Sequence, residues 1–448
     1  MRRVIALVLL TACAATPQAV TKSDTADALT LVPTIVFPAT PGLPPQRSNA
    51  QMAQDFLDLE FHMESGLALP ILTRFDLPVT VALTGAIPAT AATDLHVLLS
   101  RLHTEAGLDL TPVAANAAIT LNFVPRATLR RIEPSAACFV IPNVSSLAEY
   151  RAKRGSADLD WEALTQRRRA AIFLPADASP QEVRDCLHEE LAQALGPLND
   201  LYRLPDSVFN DDNFQSVLTG FDMLMLRLHY SPDLANGMSE AQVAARLPAL
   251  LARLNPAGEA GSGWPAAATP RPYIDAVATA LGPDTAAAAR LPAASQMLTI
   301  ALAQGWQDNR SGFASFVLGR LQAPHDPAAA LQSYTSAARI FASLPDGGVH
   351  LSHAKMQLAA IALASGHPET AITLVDQTLP LASRAQNAAL MATLMLIKSQ
   401  SLLTLGRTAE AQALRLDSLP AARYGFGIAP EIRARAADIA ALALHRRN

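Results

Sequence analysis

Four short stretches, PVTVALTG (residues 78–85), AITLNFVP (118–125), CFVIPN (138–143) and AAIFLPA (170–176), are apolar and partly β-branched or aromatic. Turn residues close both ends of each, so each predicts a β-strand. Between the first two, Leu95, Leu98, Leu99, Leu102 and Ala106 recur at helical spacing and stop at Gly107. Short strands interleaved with helices predict an α+β domain with helices packed on a small sheet. Further on, NPAGEAGSGWPAAATPRP (255–272) breaks all periodicity and marks a linker, placed within a linker region over 241–272. From 273 to 448 the pattern is almost wholly helical. HDPAAAL (325–331), GHPETAI (366–372) and GRTAEAQ (406–412) each follow one apolar helix and open another. Their spacing of about 40 residues belongs to stacked helical hairpins.

One helix breaks its own pattern. In ASPQEVRDCLHEELAQALG, Ser179, Pro180 and Glu182 form a capping box with proline at the first helical position, and Gly196 followed by Pro197 ends the helix. Val183, Leu187, Leu191 and Ala194 fall on one apolar stripe, and Glu190 sits in the middle of it. A carboxylate there costs several kcal/mol unless it is paired, protonated or close to a cation, on the order of 2–7 kcal/mol even for a neutral polar group. Glu189 and Gln193, four apart, point along one edge of the same face. His188 falls on the flank opposite Gln193, where it is expected to be half exposed.

Composition places the chain among folded globular proteins. Of 448 residues, half are hydrophobic and 17% charged, and the length suggests two or three domains. A net charge of -4 offers no field for nucleic acid. The dense basic run, Arg167 to Arg169, is expected to be a solvated helix face. At the start, MRRVIALVLLTAC carries two arginines, a short apolar run and then small residues, the pattern of a secretory signal. Its end, Leu10-Thr11-Ala12-Cys13, resembles the lipobox of bacterial lipoproteins. That resemblance implies a signal over 1–13, lipidation of Cys13 and a lipid anchor on the periplasmic side of the envelope. Ala14 in the next position favours the outer membrane. Residues 14–46, rich in Pro, Thr and Ala, read as a disordered tether. Cys138 and Cys186 remain as an even pair; in an oxidising compartment they can close one disulfide, the alternative being two buried thiols.

The frame Glu189-Glu190-x-x-Gln193-x-x-Gly196-x-x-Asn199 resembles the metzincin pattern H-E-x-x-H-x-x-G-x-x-H with every histidine replaced. SVFND (207–211) is similar to the methionine-turn segment of matrixin-type proteases, with Phe209 in the methionine's place. LTGFDMLMLRLHY (218–230) is similar to the helix that closes those domains, and Thr219 and Asp222 make its capping box. The 47–238 region, with RSNA, Cys-Phe-Val, RDCLHEELAQALGPLND and SVFNDDNF, resembles an uncharacterised bacterial family, DUF2927, with a zincin-like core. These resemblances imply a zincin-like domain over 47–240. The repeats over 273–448 resemble tetratricopeptide-type hairpins, with Ala371 and Ala411 near the start of the second helix and without that family's Trp-Leu-Gly-Tyr set.

Two functional readings follow. In the first, the protein is an envelope lipoprotein with a degenerate, non-catalytic metallopeptidase-like domain and a helical-repeat domain that holds a protein or peptide partner. Glu189 and Gln193 then hydrogen-bond to a neighbouring strand or loop, and Glu190 is held by backbone donors or an arginine. In the second it is an active metal-dependent hydrolase. Glu189, Gln193 and Asn199, or Asp200 in its stead, would converge on a divalent metal ion, with Glu190 as general base. Such oxygen donors suit calcium, magnesium or manganese better than zinc. The run FNDDNF (209–214) is explained by turn chemistry, and His350 and His353 by a helix start. No nucleophile elbow, phosphate-cradling loop or dinucleotide fingerprint is present in the sequence.

Overall fold

The computed structural model of the protein describes residues 34–76, 78–134, 136–261, 267–345 and 347–444. The expected signal over 1–13, with Cys13, and the first part of the tether lie outside the described residues. The chain divides into two compact units, one built from Phe37–Ala178 and Glu182–Thr269, the other in the main from Pro270–Asn448.

The first unit is α+β. Its sheet contains β1 (Val79–Gly85), β2 (Leu110–Pro112), β3 (Ile119–Val124), β4 (Phe139–Pro142) and β5 (Ala170–Pro175) in the order β2-β1-β3-β5-β4. Neighbours run parallel except β4, which pairs antiparallel with β5 at one edge. Four of these strands fall where the hydrophobic runs predict them. The fifth, β2, has only three residues at the opposite edge, too short to leave a pattern in the sequence.

Burial of β5 on both faces explains why its sequence runs apolar without alternating. Ile172 and Leu174 face one core, shared with Met52, Phe56 and Leu59 of α1 (Asn49–Glu60) and Leu95, Leu98 and Leu99 of α2 (Ala91–Arg101). Ala171 and Phe173 face a second core under α3 (Arg126–Ile132) and α4 (Leu147–Lys153). There the rings of Phe139, Tyr150 and Phe173 pack with centroids 5.1 to 6.0 Å apart. The predicted helix after β1 runs to Gly107 as expected, its last turn widening into a π-helix over Leu102–Ala106.

Helix α5 (Pro180–Leu195) lies on the first core, and α6 (Gly220–His229) packs beside it. Residues 241–254, assigned by sequence to the linker region, instead form most of α7 (Glu240–Ala244) and all of α8 (Leu247–Leu254). Val243, Leu247, Leu250 and Leu251 are buried in the first core, which is why this stretch cannot serve as a spacer. The end of the expected tether is likewise docked. The Gly42 amide donates to Glu105 at 2.9 Å, and the Gly42 backbone lies so close to Gly220 that a side chain on either would collide with main chain.

The second unit is a run of helices: α9 (Arg271–Leu281), α10 (Ala287–Ala303), α11 (Asn309–Gln322), α12 (Pro327–Ser343), α13 (Gly348–Ala364), α14 (Pro368–Arg384), α15 (Ala388–Thr404), α16 (Thr408–Asp417), α17 (Leu419–Phe426) and α18 (Ala429–Leu444). Consecutive helices pack as hairpins, and α12, α14 and α16 begin about 40 residues apart, as the sequence repeat predicts. Gly366 and Gly406 turn two of these hairpins with φ of 78° and 75°, where a side chain would be strained. Helices α13 and α15 are buried over most of their length, and α18 packs against both.

Candidate functional site

Helix α5 is held at three places. Its apolar stripe, Val183, Leu187, Leu191 and Ala194, is buried on the sheet. A disulfide from Cys186 to Cys138 ties it to the strand at the sheet edge. Its C-terminus, where the last carbonyls lack helical partners, is closed by Arg167. That guanidinium donates to the carbonyls of Gln193 at 2.7 Å, Ala194 at 2.8 Å and Gly196 at 2.5 Å. Arg167 is therefore buried and not part of a solvated helix face: it lies just before β5, and its charge answers the negative end of the α5 dipole. Nearby, buried Glu60 and His229 lie 2.9 Å apart.

Beyond Gly196 the chain runs along the end of α1. The Leu198 amide donates to the Leu59 carbonyl at 3.1 Å, and the Asn199 side-chain amide donates to the Asp58 carbonyl at 2.8 Å. The Asn199 oxygen accepts the amide of Asp200 at 3.0 Å. The next turn is fixed from below by α6. Asp222 in the predicted capping box accepts from the Ser207 hydroxyl at 2.5 Å and from the amides of Val208 and Thr219 at 3.2 and 2.8 Å. Phe209 in this turn is fully buried. Asn210 and Asp212 cap local amides and close the turn as their chemistry predicts.

The predicted site residues separate into two groups. Asn199 has both ends of its amide spent on backbone, and Gln193 donates to Asp200 at 3.3 Å. Glu189 and Glu190 lie among carboxyls: Glu64 from the loop after α1, Asp200 and Asp211. One oxygen each from Glu64, Asp200 and Asp211 lies within 4.8 Å of the other two. Asp211 also accepts from the Tyr202 hydroxyl at 3.2 Å. Among the described residues no arginine or lysine is ion-paired to Glu189, Glu190, Asp200 or Asp211. The contrast with Asp55 and Asp58, both paired to Arg203 at 2.7 Å, is sharp.

The electrostatics follow from that imbalance. Burial first, then repulsion from Asp211, Glu64 and Asp185, pushes Glu189 up to about 8. Glu190 is raised well above the usual carboxylate range by burial and by Glu189 and Glu64, and its Oε2 receives no hydrogen bond. Asp200 is raised well above its ordinary value by burial and by Asp211 and Glu64, and Asp211 rises to about 7 by burial and Glu64. Without a counter-charge the buried Glu189, Glu190, Asp200 and Asp211 hold their protons more tightly than free carboxyls do. His188 stands apart from it. Only 3% exposed, and so not half exposed as its helical position suggested, it accepts the Leu218 amide on Nδ1 at 3.1 Å. Burial, then Arg184 and Arg101, lowers its pKa well below the usual value, which keeps it a neutral acceptor.

An oxygen-only donor set suits a hard cation better than zinc, whose protein sites are built mainly from nitrogen and sulfur. Sequence reasoning named Asp200 only as a substitute for Asn199, read Asp211 as turn chemistry, and did not see Glu64, whose HMESG context carries no signal. No curated protein and no solved structure matches the chain. Residues 49–249, from the start of α1 into α8, match the family model described as Protein of unknown function (DUF2927), which supports an uncharacterised domain over this part of the chain.

Proposed function

We propose that the protein is an envelope lipoprotein whose first unit is a zincin-like domain without zinc-peptidase chemistry, and whose tetratricopeptide-like second unit holds a protein or peptide partner. The observation that carries this reading is the fate of the three positions where the metzincin frame has imidazoles. They hold Glu189, Gln193 and Asn199, and the last two are committed to Asp200 and to backbone. The nearest imidazole along the helix, His188, is likewise committed to the Leu218 amide. A helix bearing Glu189 and Glu190, ended by a glycine bend and followed by a turn seated on the closing helix, supports the zincin-like frame. The Cys138–Cys186 bridge supports an oxidising compartment, and with it the leader and the anchor at Cys13. In the second unit a cavity of about 440 Å³, lined by Leu396, Leu416, Leu419 and Ile432 with Arg415 and Arg433, supports a partner-binding role.

One observation favours the hydrolase alternative: Glu190 is 4% exposed and its Oε2 has no donor, an arrangement that costs stability for no structural return. In that reading Glu190 serves as the general base. Metal content and peptide cleavage of protein purified from the envelope without chelator decide between the two. The proposal expects no peptide cleavage that Glu190→Gln removes, whichever metal the protein carries. A stoichiometric divalent metal together with cleavage abolished in Glu190→Gln overturns it.

A further inference from the structure

Three acidic side chains that the sequence scatters over 148 positions meet at one point above α5. Glu64 comes from the loop after α1, where His62 bridges to Ala68 and Gly66 turns with φ of 84°. Asp200 comes from the segment pinned to the end of α1, and Asp211 from the turn seated on α6. A cluster of acids alone says little, since acidic groups gather on many surfaces. Here a second observation stands beside it: Asp200 is 8% exposed, and no hydrogen bond reaches its Oδ1. A buried carboxylate oxygen without a donor is expensive unless something positive meets it. Gln193 donates to Oδ2 of Asp200 and the Tyr202 hydroxyl to Oδ2 of Asp211, so Oδ1 of Asp200 is the buried oxygen left without a donor. Opposite ligands of a calcium ion lie about 4.8 Å apart, twice the usual Ca–O distance of roughly 2.4 Å, and a set of oxygens no farther apart than this can share one ion.

We infer that Glu64, Asp200 and Asp211 form a binding site for a hard divalent cation of the calcium class, bordered by Glu189 and separate from the Glu189, Gln193 and Asn199 positions of the zincin frame. Ligands from three loops, one of them exposed, make a site of adjustable size, which suits calcium's variable coordination better than the strict octahedron of magnesium. Gln193 and Tyr202 act as positioning residues, each donating to one carboxylate of the site. A bound ion would replace the carboxyl contact between Glu64 and Asp200 with an attraction that ties the loop after α1 to the turn over α6. The site does not depend on the zincin-like reading and can exist whether or not Glu190 does chemistry.

The test uses the full chain, stripped with chelator and titrated by calorimetry with calcium, magnesium and zinc chlorides. Calcium is expected to bind at one per chain, more tightly than magnesium or zinc, and to raise the thermal midpoint. Glu64→Gln and Asp211→Asn are each expected to weaken calcium by about tenfold or more, through the loss of one ligand charge. Glu64 is exposed at a loop tip, so Glu64→Gln is expected to melt like wild type in chelator, which separates lost binding from lost folding. Terbium in place of calcium supplies a local signature: emission excited through tyrosine is expected to fall in Tyr202→Phe, which lies beside Asp211. No calcium binding at millimolar concentration overturns the proposal. So does zinc binding more tightly than calcium, or calcium binding that Glu64→Gln and Asp211→Asn leave unchanged.

Discussion

Arg167 is expected to be among the most costly single residues to remove from the first unit. Its guanidinium is buried, stacks 5.0 Å from the Trp161 ring, and supplies donors to three carbonyls at the end of α5. In Arg167→Met the stem is kept and the donors are lost, so the carbonyls of Gln193, Ala194 and Gly196 remain where water reaches poorly. Removing one partner of a buried charged network costs about 3–5 kcal/mol, and relief of the guanidinium's own desolvation offsets part of that. The carbonyls keep a second lone pair for adjustment, which favours the middle of the range; we expect about 4 kcal/mol for Arg167→Met. Arg167→Lys keeps the charge, yet one ammonium cannot span three carbonyls in the same plane, and about 2 kcal/mol is expected. Urea unfolding followed by far-ultraviolet circular dichroism reads both, with the slope unchanged if the unfolded state is unaffected. Because Arg167 closes the bend that delivers Asn199 and Asp200, Arg167→Met should also expose residues 196–206 to protease before global unfolding. A loss under about 1 kcal/mol for Arg167→Met, with no new cleavage, would refute the claim that this residue closes α5.

Two further outcomes follow from the same geometry. The Cys138–Cys186 bridge closes a loop of 48 residues, for which chain entropy gives about 4 kcal/mol. The double variant Cys138→Ser/Cys186→Ser should lose that amount in urea unfolding and lose its sensitivity to reductant; a variant as stable as oxidised wild type contradicts it. In chelated protein, Asp222 is raised to about 6, Asp211 to about 7 and Glu189 to about 8, burial being the main cause for each. Each group binds its proton more tightly when folded, so its contribution is fully present below the ordinary carboxylate pKa and is lost as pH climbs through 6 to 8. The thermal midpoint in chelator should therefore fall from pH 5 to pH 8; a midpoint that rises over that interval is incompatible with these shifts.

How much of the fold was legible depended on how much of each element's pattern was local. The four longer strands and α2 are bounded by turn residues and carry their period in their own sequence, and all five lie where that period predicts. Edge strand β2 has only three residues, and its parallel partner β1 lies across the whole of α2, so nothing local announces it. Helices α7 and α8 were absorbed into the linker region because AQVAARLPALLARL abuts a stretch that does break periodicity. Their assignment to the domain comes from burial of Val243, Leu247 and Leu250 against α1, a contact between segments 190 residues apart. Arg167 was misjudged for the same reason. A triplet of arginines looks solvated until one of them is found under a helix end that the sequence places far downstream.

The candidate site was half legible, and the division has a geometric cause. Helical periodicity is rigid enough to put Glu189 and Gln193 on one edge and Glu190 in the apolar stripe, and the structure keeps all three adjacent to the acidic cluster. Past Gly196 the periodicity ends, and the choice between Asn199 and Asp200 passes to hydrogen bonding. Asn199 can both donate and accept; it takes the Asp58 carbonyl with one end and the Asp200 amide with the other. An aspartate at that position could not donate to Asp58, and an asparagine at 200 would bring no charge to the cluster. The order Asn-Asp therefore assigns the amide to structure and the carboxylate to the site. The helix and the bend converge on the cluster, and which residue arrives there is set by what the end of α1 leaves unpaired.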